Sequence, residues 1–372
     1  REAALSMFGH RWQELGAVAL VLVASYVTVP EPRRQRRRSD AEEGASCAAL
    51  RATRQEEDSP RLVAIGDIHG DAVALREVLQ KAGVASADCE WRATGPTVVV
   101  QMGDVVDRGP ESEEANACLE RLQRGAAAAA GSRVVRLTGN HELLQAEGDL
   151  RFAARSDTPA TVAAAVTKWL GDVRQGRVQG AFAFGPFLFT HAGFRPAMLA
   201  KVVPEPQRAT ASDLAVVLAG YVNEKLTVAV ERCSSGTSPC ASFRGDDVFS
   251  AGPDRGGRGL GGPFWTDFSV LTAPDSLPGN GLIQVVGHSA ARCDAKRSAT
   301  CEPIRARPDL AAIVVDAGLS EAYAANRAFL DVRHDNGLLK VLATTLGPHG
   351  TWRDTDLSHL SCPSLRQDRA SS

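Results

Sequence analysis

The sequence predicts an α/β domain whose strands are joined by crossover helices. A short apolar strand, a polar loop and a helix follow one another three times between Arg61 and residue 180. Each of the first three strands is stopped by a glycine: Gly66, Gly103 and Gly139. Of the 372 residues, 44% are hydrophobic and 23% charged, which excludes global disorder, collagen and a polytopic membrane protein. At about 150 residues per domain, the length fits two domains or one large enzyme domain.

Residues 1–60 read as an N-terminal leader. The chain as given opens on Arg1, so either residues precede it or translation begins at Met7. The apolar run Leu15–Val29 is shorter than the ~20 residues a bilayer span prefers and is nearer a signal-peptide core or a marginal anchor. Five Arg follow between Arg33 and Arg38, and residues 31–60 read as a linker. A membrane attachment through residues 15–29, or a secretory or organellar location, is favoured over the cytoplasm; the bland alternative is a dispensable Arg-rich leader.

Residues 61–346 read as the folded domain. Leu62–Ile65, Thr97–Met102 and Val134–Thr138 read as buried strands, and Ala72–Lys81 and Ser112–Arg124 as helices. Ala126–Ala130 either extends the second helix or forms a loop. Residues 145–180 read as helical. Residues 195–265 read as a helical insertion followed by long Pro-, Gly- and Ser-containing loops. Phe182–Thr190, Leu282–Val286, Ala312–Val315 and Leu338–Thr344 supply further strands, and residues 347–372 read as a polar, frayed tail.

A net charge of −2, from 42 basic and 44 acidic residues, argues against wholesale nucleic-acid binding. The Arg33–Arg38 run has no aromatic residues between its charges, so no nucleic-acid partner is expected. Eight Cys are too few for a disulfide scaffold, but Cys233/Cys240 and Cys293/Cys301 are close-spaced in turn-rich segments and are expected to close local disulfide loops.

Five segments place metal ligands directly after an apolar strand: GDIHGD from Gly66, GDVVDRG from Gly103, GNHE from Gly139, HAG from His191 and GHS from Gly287. In an open α/β sheet, loops at the carboxyl ends of strands converge on one crevice. Two Asp, three His and one Asn, without Cys, suit two transition-metal ions such as Mn, Fe or Zn. Asp104 is the natural bridge, because one carboxylate can bind two cations. Two cations about 3.5–4 Å apart can clamp phosphate oxygens and acidify a shared water. His141 can protonate the leaving oxygen, Asp107 can fix its tautomer, and Arg108 offers a planar fork to phosphate.

The set GDIHGD, GDVVDRG, GNHE, THAG and VGHS resembles the calcineurin-like metallophosphoesterases. Its DRG and GNHE forms look like the phosphoprotein phosphatase branch, and Pro263-Phe264-Trp265 and Val315–Leu319 look like the Shewanella-like, bacterial-type phosphatases. The resemblance covers about residues 60–346. It implies a central β-sandwich of mixed sheets flanked by helices and a dinuclear centre. By motif position it implies that Asp67, His69 and Asp104 hold one metal, and Asp104, Asn140, His191 and His288 the other. It further implies His141 as general acid, supported by Asp107, with Arg108 on the phosphate. The Trp of the Pro-Phe-Trp segment is commonly followed two residues on by an Arg; here Asp267 stands there. Asp267 is therefore expected to point away or pair with a nearby Arg. Arg255 and Arg258, in the Gly-rich loop Gly252–Gly262, are the candidates to bind phosphate instead.

The leading functional expectation is a metal-dependent phosphoesterase, acting on phosphoserine or phosphothreonine in proteins. The alternatives are a nucleotide or dinucleoside polyphosphate hydrolase and, in another class, a non-catalytic scaffold that keeps the fold. The complete ligand set counts against the scaffold.

Overall fold

Strands β1 (Arg61–Ile65), β2 (Thr97–Gln101) and β3 (Arg133–Leu137) lie side by side and parallel, Leu62 opposite Val98 and Val99 opposite Val134. All of β2 is buried, as the unbroken TVVVQ run requires of a central strand covered on both faces. The computed structural model describes residues 60–360 apart from 234–238, 274–276, 278–279 and 336–337. The apolar run 15–29 and the Arg33–Arg38 cluster fall outside the described residues. Among the described residues, no helix is long and apolar enough to cross a membrane.

The first sheet has seven strands in the order β12-β11-β10-β1-β2-β3-β4, completed by β4 (Val178–Gln179), β10 (Ala328–Asp335), β11 (Leu338–Leu346) and β12 (Trp352–Asp356). The second runs β5-β6-β7-β9-β8, from β5 (Ala181–Phe184), β6 (Phe187–Thr190), β7 (Ile283–Val286), β8 (Arg305–Ala306) and β9 (Ala312–Val314). Both sheets mix parallel and antiparallel pairs. They share one core: Leu62 and Val99 of the first sheet cluster with Phe187, Phe189, Ile283 and Ile313 of the second. This is a sandwich, as the resemblance implies.

Period-two alternation on β6 decides what covers the second sheet. Phe187 and Phe189 enter the core between the sheets, while Leu188 belongs to a second cluster with Leu218 and Val222. Those two lie on a long helix whose buried positions Leu214, Ala215, Leu218, Ala219 and Val222 recur at helical spacing. Fully burying one such Leu stabilises by about 1.5–3 kcal/mol. Asn223 of the same helix accepts from the amides of Gly180 and Ala181 and donates to Ala181 O, so the helix also ties down edge strand β5.

In chain order the helices are α1 (Ala72–Lys81), α2 (Ser112–Ala127), α3 (Asn140–Ala146), α4 (Pro159–Arg174), α5 (Pro196–Val202), α6 (Ala211–Glu231) and α7 (Phe268–Leu271). Capping fixes several starts: Asp71 accepts from Ala74 N at 2.8 Å, and Thr158 caps α4 just before Pro159. α5 and α6, followed by irregular segments, occupy the region read as a helical insertion with long loops.

Three sequence expectations are corrected. Phe182–Thr190 is not one strand but the hairpin β5–β6, because Gly185, with φ of +53°, and Pro186 turn the chain. Residues 145–180 are not one helical stretch: a loop between α3 and α4 carries Phe152 towards the site. The tail does not fray at once after 346, since Trp352–Asp356 pairs with β11 as the sheet edge.

Cys233–Cys240 and Cys293–Cys301 are disulfide-bonded, as the spacing led us to expect. A third bridge, Cys89–Cys118, joins the segment after α1 to α2. It closes a longer loop, with a separation of 29, and on the chain-entropy model contributes about 3–4 kcal/mol.

Candidate metal centre and active site

The carboxyl ends of β1, β2, β3, β6 and β7 deliver Asp67, Asp104, Asn140, His191 and His288 to one place. The turns that do so are conformationally costly. His69, Asp104, Asp107, Arg108 and His288 all hold positive φ, between 46° and 71°. Strain of this kind persists only where the surroundings over-determine it, and it collects at functional sites. Glycine is needed at position 139, where a Cβ would collide with the Asp104 carboxylate.

Asp104 is 1% exposed and sits at the centre. Its Oδ2 is 3.4 Å from His191 Nε2, 3.6 Å from His69 Nε2 and 3.9 Å from His141 Nε2. Two groups of possible ligand atoms share it, one with His69 and His141, the other with His191 and His288, each group within 4.8 Å. Asn140 Oδ1 lies 2.9 Å from His191 Nε2 and 2.8 Å from His288 Nδ1, and these two nitrogens are 3.2 Å apart. Three lone-pair-bearing atoms converging on one point, beside a carboxylate, form a donor set for a cation. His288 Nε2 is buried without a partner. Nitrogen and oxygen donors without thiolate fit borderline transition metals.

Asp67 reaches His69 Nε2 at 3.9 Å and accepts from the His288 amide at 3.0 Å. Burial, with the neighbouring charges of Asp316 and Asp104, pushes its pKa well above the usual carboxylate range. Burial also raises Asp316 to about 6. Burial opposes ionisation of Asp104, yet the charges of His191 and His141 hold it well below its ordinary value. His69 is lowered to about 4, chiefly by burial. Carboxylates crowded like this in a dry site call for positive charge.

His141 is held from behind. Its Nδ1 is 2.6 Å from Asp107 Oδ2, and Gln145 Nε2 donates to the other oxygen of Asp107 at 2.5 Å. Nε2 is thereby turned to the cluster, with a raised pKa: burial lowers it, but the Asp104 charge and the Asp107 hydrogen bond outweigh this. The backbone of the second loop hangs on Glu142, whose carboxylate accepts from Gly139 N at 2.7 Å, Asp104 N at 3.0 Å and Val105 N at 2.8 Å.

The three candidate arginines divide. Arg108 is exposed, and its guanidinium lies 4.4 Å over the Phe152 ring and 6.0 Å from the Tyr323 ring. Those rings flank His141 at 5.1 Å and His69 at 5.3 Å, so Arg108 stands at the mouth of the cluster. Arg255 pairs with Asp267 at 2.7 Å and donates to Ser289 Oγ at 3.0 Å, next to His288. Asp267 therefore pairs with an Arg, as expected, and also caps α7 through Ser269 N. Arg258 is exposed, and no hydrogen bond or ion pair ties it to the other site residues described.

Sequence reasoning assigned no role to Glu142, Gln145, Asp316, Phe152 or Tyr323. Glu142 and Asp316 lie inside quoted motifs, which was the available signal; the other three carried none.

Residues 60–216 match the family described as Calcineurin-like phosphoesterase. That stretch is similar to a calcineurin-like phosphoesterase domain. It is 43% identical over 99 residues to Shewanella-like protein phosphatase 2 of Arabidopsis thaliana, covering 27% of this chain and 25% of that one. It is 36% identical over 92 residues to Shewanella-like protein phosphatase 1 of Plasmodium berghei, covering 25% of each. The matches thus span about a quarter of the length of these curated relatives. Among solved structures, a cold-active protein-tyrosine phosphatase of a psychrophilic Shewanella species superposes with a TM-score of 0.53 at 19% identity, covering 79% of this chain and 80% of the other. That likeness shows the fold: two mixed sheets flanked by helices.

If Arg108 grips the phosphate, its loss should cost one charge-assisted hydrogen-bonding group, about 1.5–3 kcal/mol. Arg108→Ala is expected to lower kcat/KM for p-nitrophenyl phosphate roughly 10–150-fold. Unchanged kcat/KM would remove Arg108 from the phosphate site.

Proposed function

We propose that this chain is a dinuclear-metal-dependent phosphoric monoester hydrolase that dephosphorylates phosphoserine and phosphothreonine in proteins. The observation that carries this reading is the pair of ligand groups sharing Asp104, with His141 oriented by Asp107 beside them. Asp67, His69 and Asp104 would hold one metal, and Asp104, Asn140, His191 and His288 the other. Such cations, when bound, supply Lewis acidity and a water of lowered pKa. Arg108 binds the phosphate at the mouth and orients it. Arg255, held by Asp267 and Ser289 beside His288, is the second candidate for phosphate; Arg258 has no contact that supports the same role. His141 Nε2 carries the proton to the leaving oxygen, while Asp107 holds Nδ1 and stabilises the imidazolium.

The investment in an oriented acid favours alkyl leaving groups. Serine and threonine alkoxides are poor leaving groups that need a proton, whereas a phenolate scarcely does. A second reading, hydrolysis of phosphotyrosine, draws support from Phe152 and Tyr323, which would stack against a phenyl ring. A nucleotide or dinucleoside polyphosphate hydrolase has no comparable observation behind it. Matched peptides differing only in the phosphorylated residue separate the readings. The manganese-loaded protein is expected to show the highest kcat/KM on the phosphoserine or phosphothreonine peptide. A preference of tenfold or more for phosphotyrosine would overturn that assignment and leave the hydrolase reading standing.

A further inference from the structure

The loop that follows the proposed ligand His288 is basic. Between Ser289 and Arg305 it carries four cations, Arg292, Lys296, Arg297 and Arg305, against two acids, Asp294 and Glu302, in a chain of net charge −2. Arg305 is fixed one residue from His288: it donates to Ser289 O, and its guanidinium lies 5.6 Å from the Phe268 ring. Burial lowers its pKa; Asp316 and Asp267 oppose this, and the charge of Arg292 adds to it, so Arg292 stands within electrostatic reach. Arg292 and Lys296 are exposed. Among the described residues, no hydrogen bond or ion pair holds the side chain of either, and no carboxylate pairs with Arg305.

The neighbouring acids are engaged elsewhere. Asp267 pairs with Arg255 at 2.7 Å, Asp294 pairs with Arg297 at 3.2 Å, and Asp316 is buried. Glu302 is the one acid of the loop left against Arg292, Lys296 and Arg305, so the surface keeps an excess of positive charge. The loop is also held in shape. The Cys293–Cys301 bridge closes it, Ala295 N donates to Asn326 Oδ1 at 2.8 Å, and Asn326 Nδ2 donates to Cys293 O at 2.9 Å. Arg353 of β12 donates to Ala299 O and Cys301 O. A surface ordered in advance loses less freedom when a partner binds.

Charge complementarity selects an acidic peptide segment for this surface. In an extended substrate, side chains two or three residues from the phosphorylated one lie about 7–10 Å from it along the chain. We propose that the loop after His288 docks an acidic stretch of the substrate protein, through Arg292, Lys296 and Arg305, beside the phosphorylated residue. The choice of substrate rests on the protein-phosphatase reading above; the binding of an acidic peptide does not.

Three phosphoserine peptides given to the manganese-loaded full chain test this. One has neutral flanks, one has Glu two and three residues before the phosphoserine, and one has Glu two and three residues after it. One acidic peptide is expected to show a KM about fivefold or more below the neutral one, from two or three exposed ion pairs. The advantage should fade in about 0.5 M salt, which screens exposed charges. The double reversal Arg292→Glu with Lys296→Glu, at two exposed positions, should erase it. Arg92→Glu, an exposed reversal just before the amino end of β2 and away from the carboxyl-end loops, should leave it intact. A fluorescein-labelled, unphosphorylated acidic peptide read by anisotropy gives the same comparison without turnover: saturable binding is expected, and its loss in the double variant. Equal KM values for all three peptides, a preference that survives the double reversal, or one lost equally in Arg92→Glu would overturn the docking surface. If no phosphoserine peptide is turned over, the phosphatase reading fails and anisotropy decides the surface: no binding, or binding unchanged by the double reversal, overturns it.

Discussion

Asp104→Asn should abolish nearly all phosphatase turnover and strip the protein of metal. Asp104 Oδ2 stands between His69, His141 and His191 at 3.4–3.9 Å, so both candidate metal positions draw on one carboxylate. An amide offers one weaker oxygen and no charge. The substitution also disturbs the loop from within, since Asp104 Oδ1 accepts from the His141 amide at 2.9 Å. Metal-supplied charge stabilisation is worth several kcal/mol, and each 1.36 kcal/mol is a decade in rate. A loss of about 10³-fold or more in kcat is therefore expected, together with metal content well below that of the unaltered chain by elemental analysis. Full metal occupancy with a fall of less than tenfold would show that Asp104 does not bridge.

His141→Ala is expected to separate acid catalysis from metal binding. The imidazole is tied to Asp107 through Nδ1 and leaves Nε2 for the proton. General acid catalysis contributes about 10²–10⁴-fold, and that is the expected loss in kcat on a phosphoserine peptide. On p-nitrophenyl phosphate, whose leaving group hardly needs a proton, the loss should be at least tenfold smaller. Because His141 Nε2 also lies within reach of Asp104 and His69, metal content must be measured alongside. Retained metal with unequal losses supports the acid; equal losses on both substrates, or loss of metal, would reassign His141 to coordination.

The gathering of the candidate ligands at one place was legible in the sequence because its physics is local. Each of Asp67, Asp104 and Asn140 follows an apolar strand and a glycine, and the topology of parallel strands gathers such loops at one edge. Their support was not legible. Glu142 reads in sequence as an ordinary first-turn acid of a helix, and only the folded loop shows it bound to the amides of Gly139, Asp104 and Val105. Phe152 and Tyr323 are 171 positions apart and meet only around Arg108. The same limit governs the fold. The close-spaced Cys pairs announced themselves, whereas Cys89–Cys118 depends on how α2 packs. Polar WRDTD has no apolar alternation to mark a strand, because β12 is an edge held by backbone pairing with β11.

The central claim is that two metals in this cluster run a phosphate-ester hydrolysis. Elemental analysis of the purified chain, paired with phosphate release from a phosphoserine peptide before and after chelation, tests it most directly. The expected result is two transition-metal ions per chain, loss of release on chelation, and its return on adding manganese. A chain that holds no metal and releases phosphate at an undiminished rate in the presence of chelator would contradict the account.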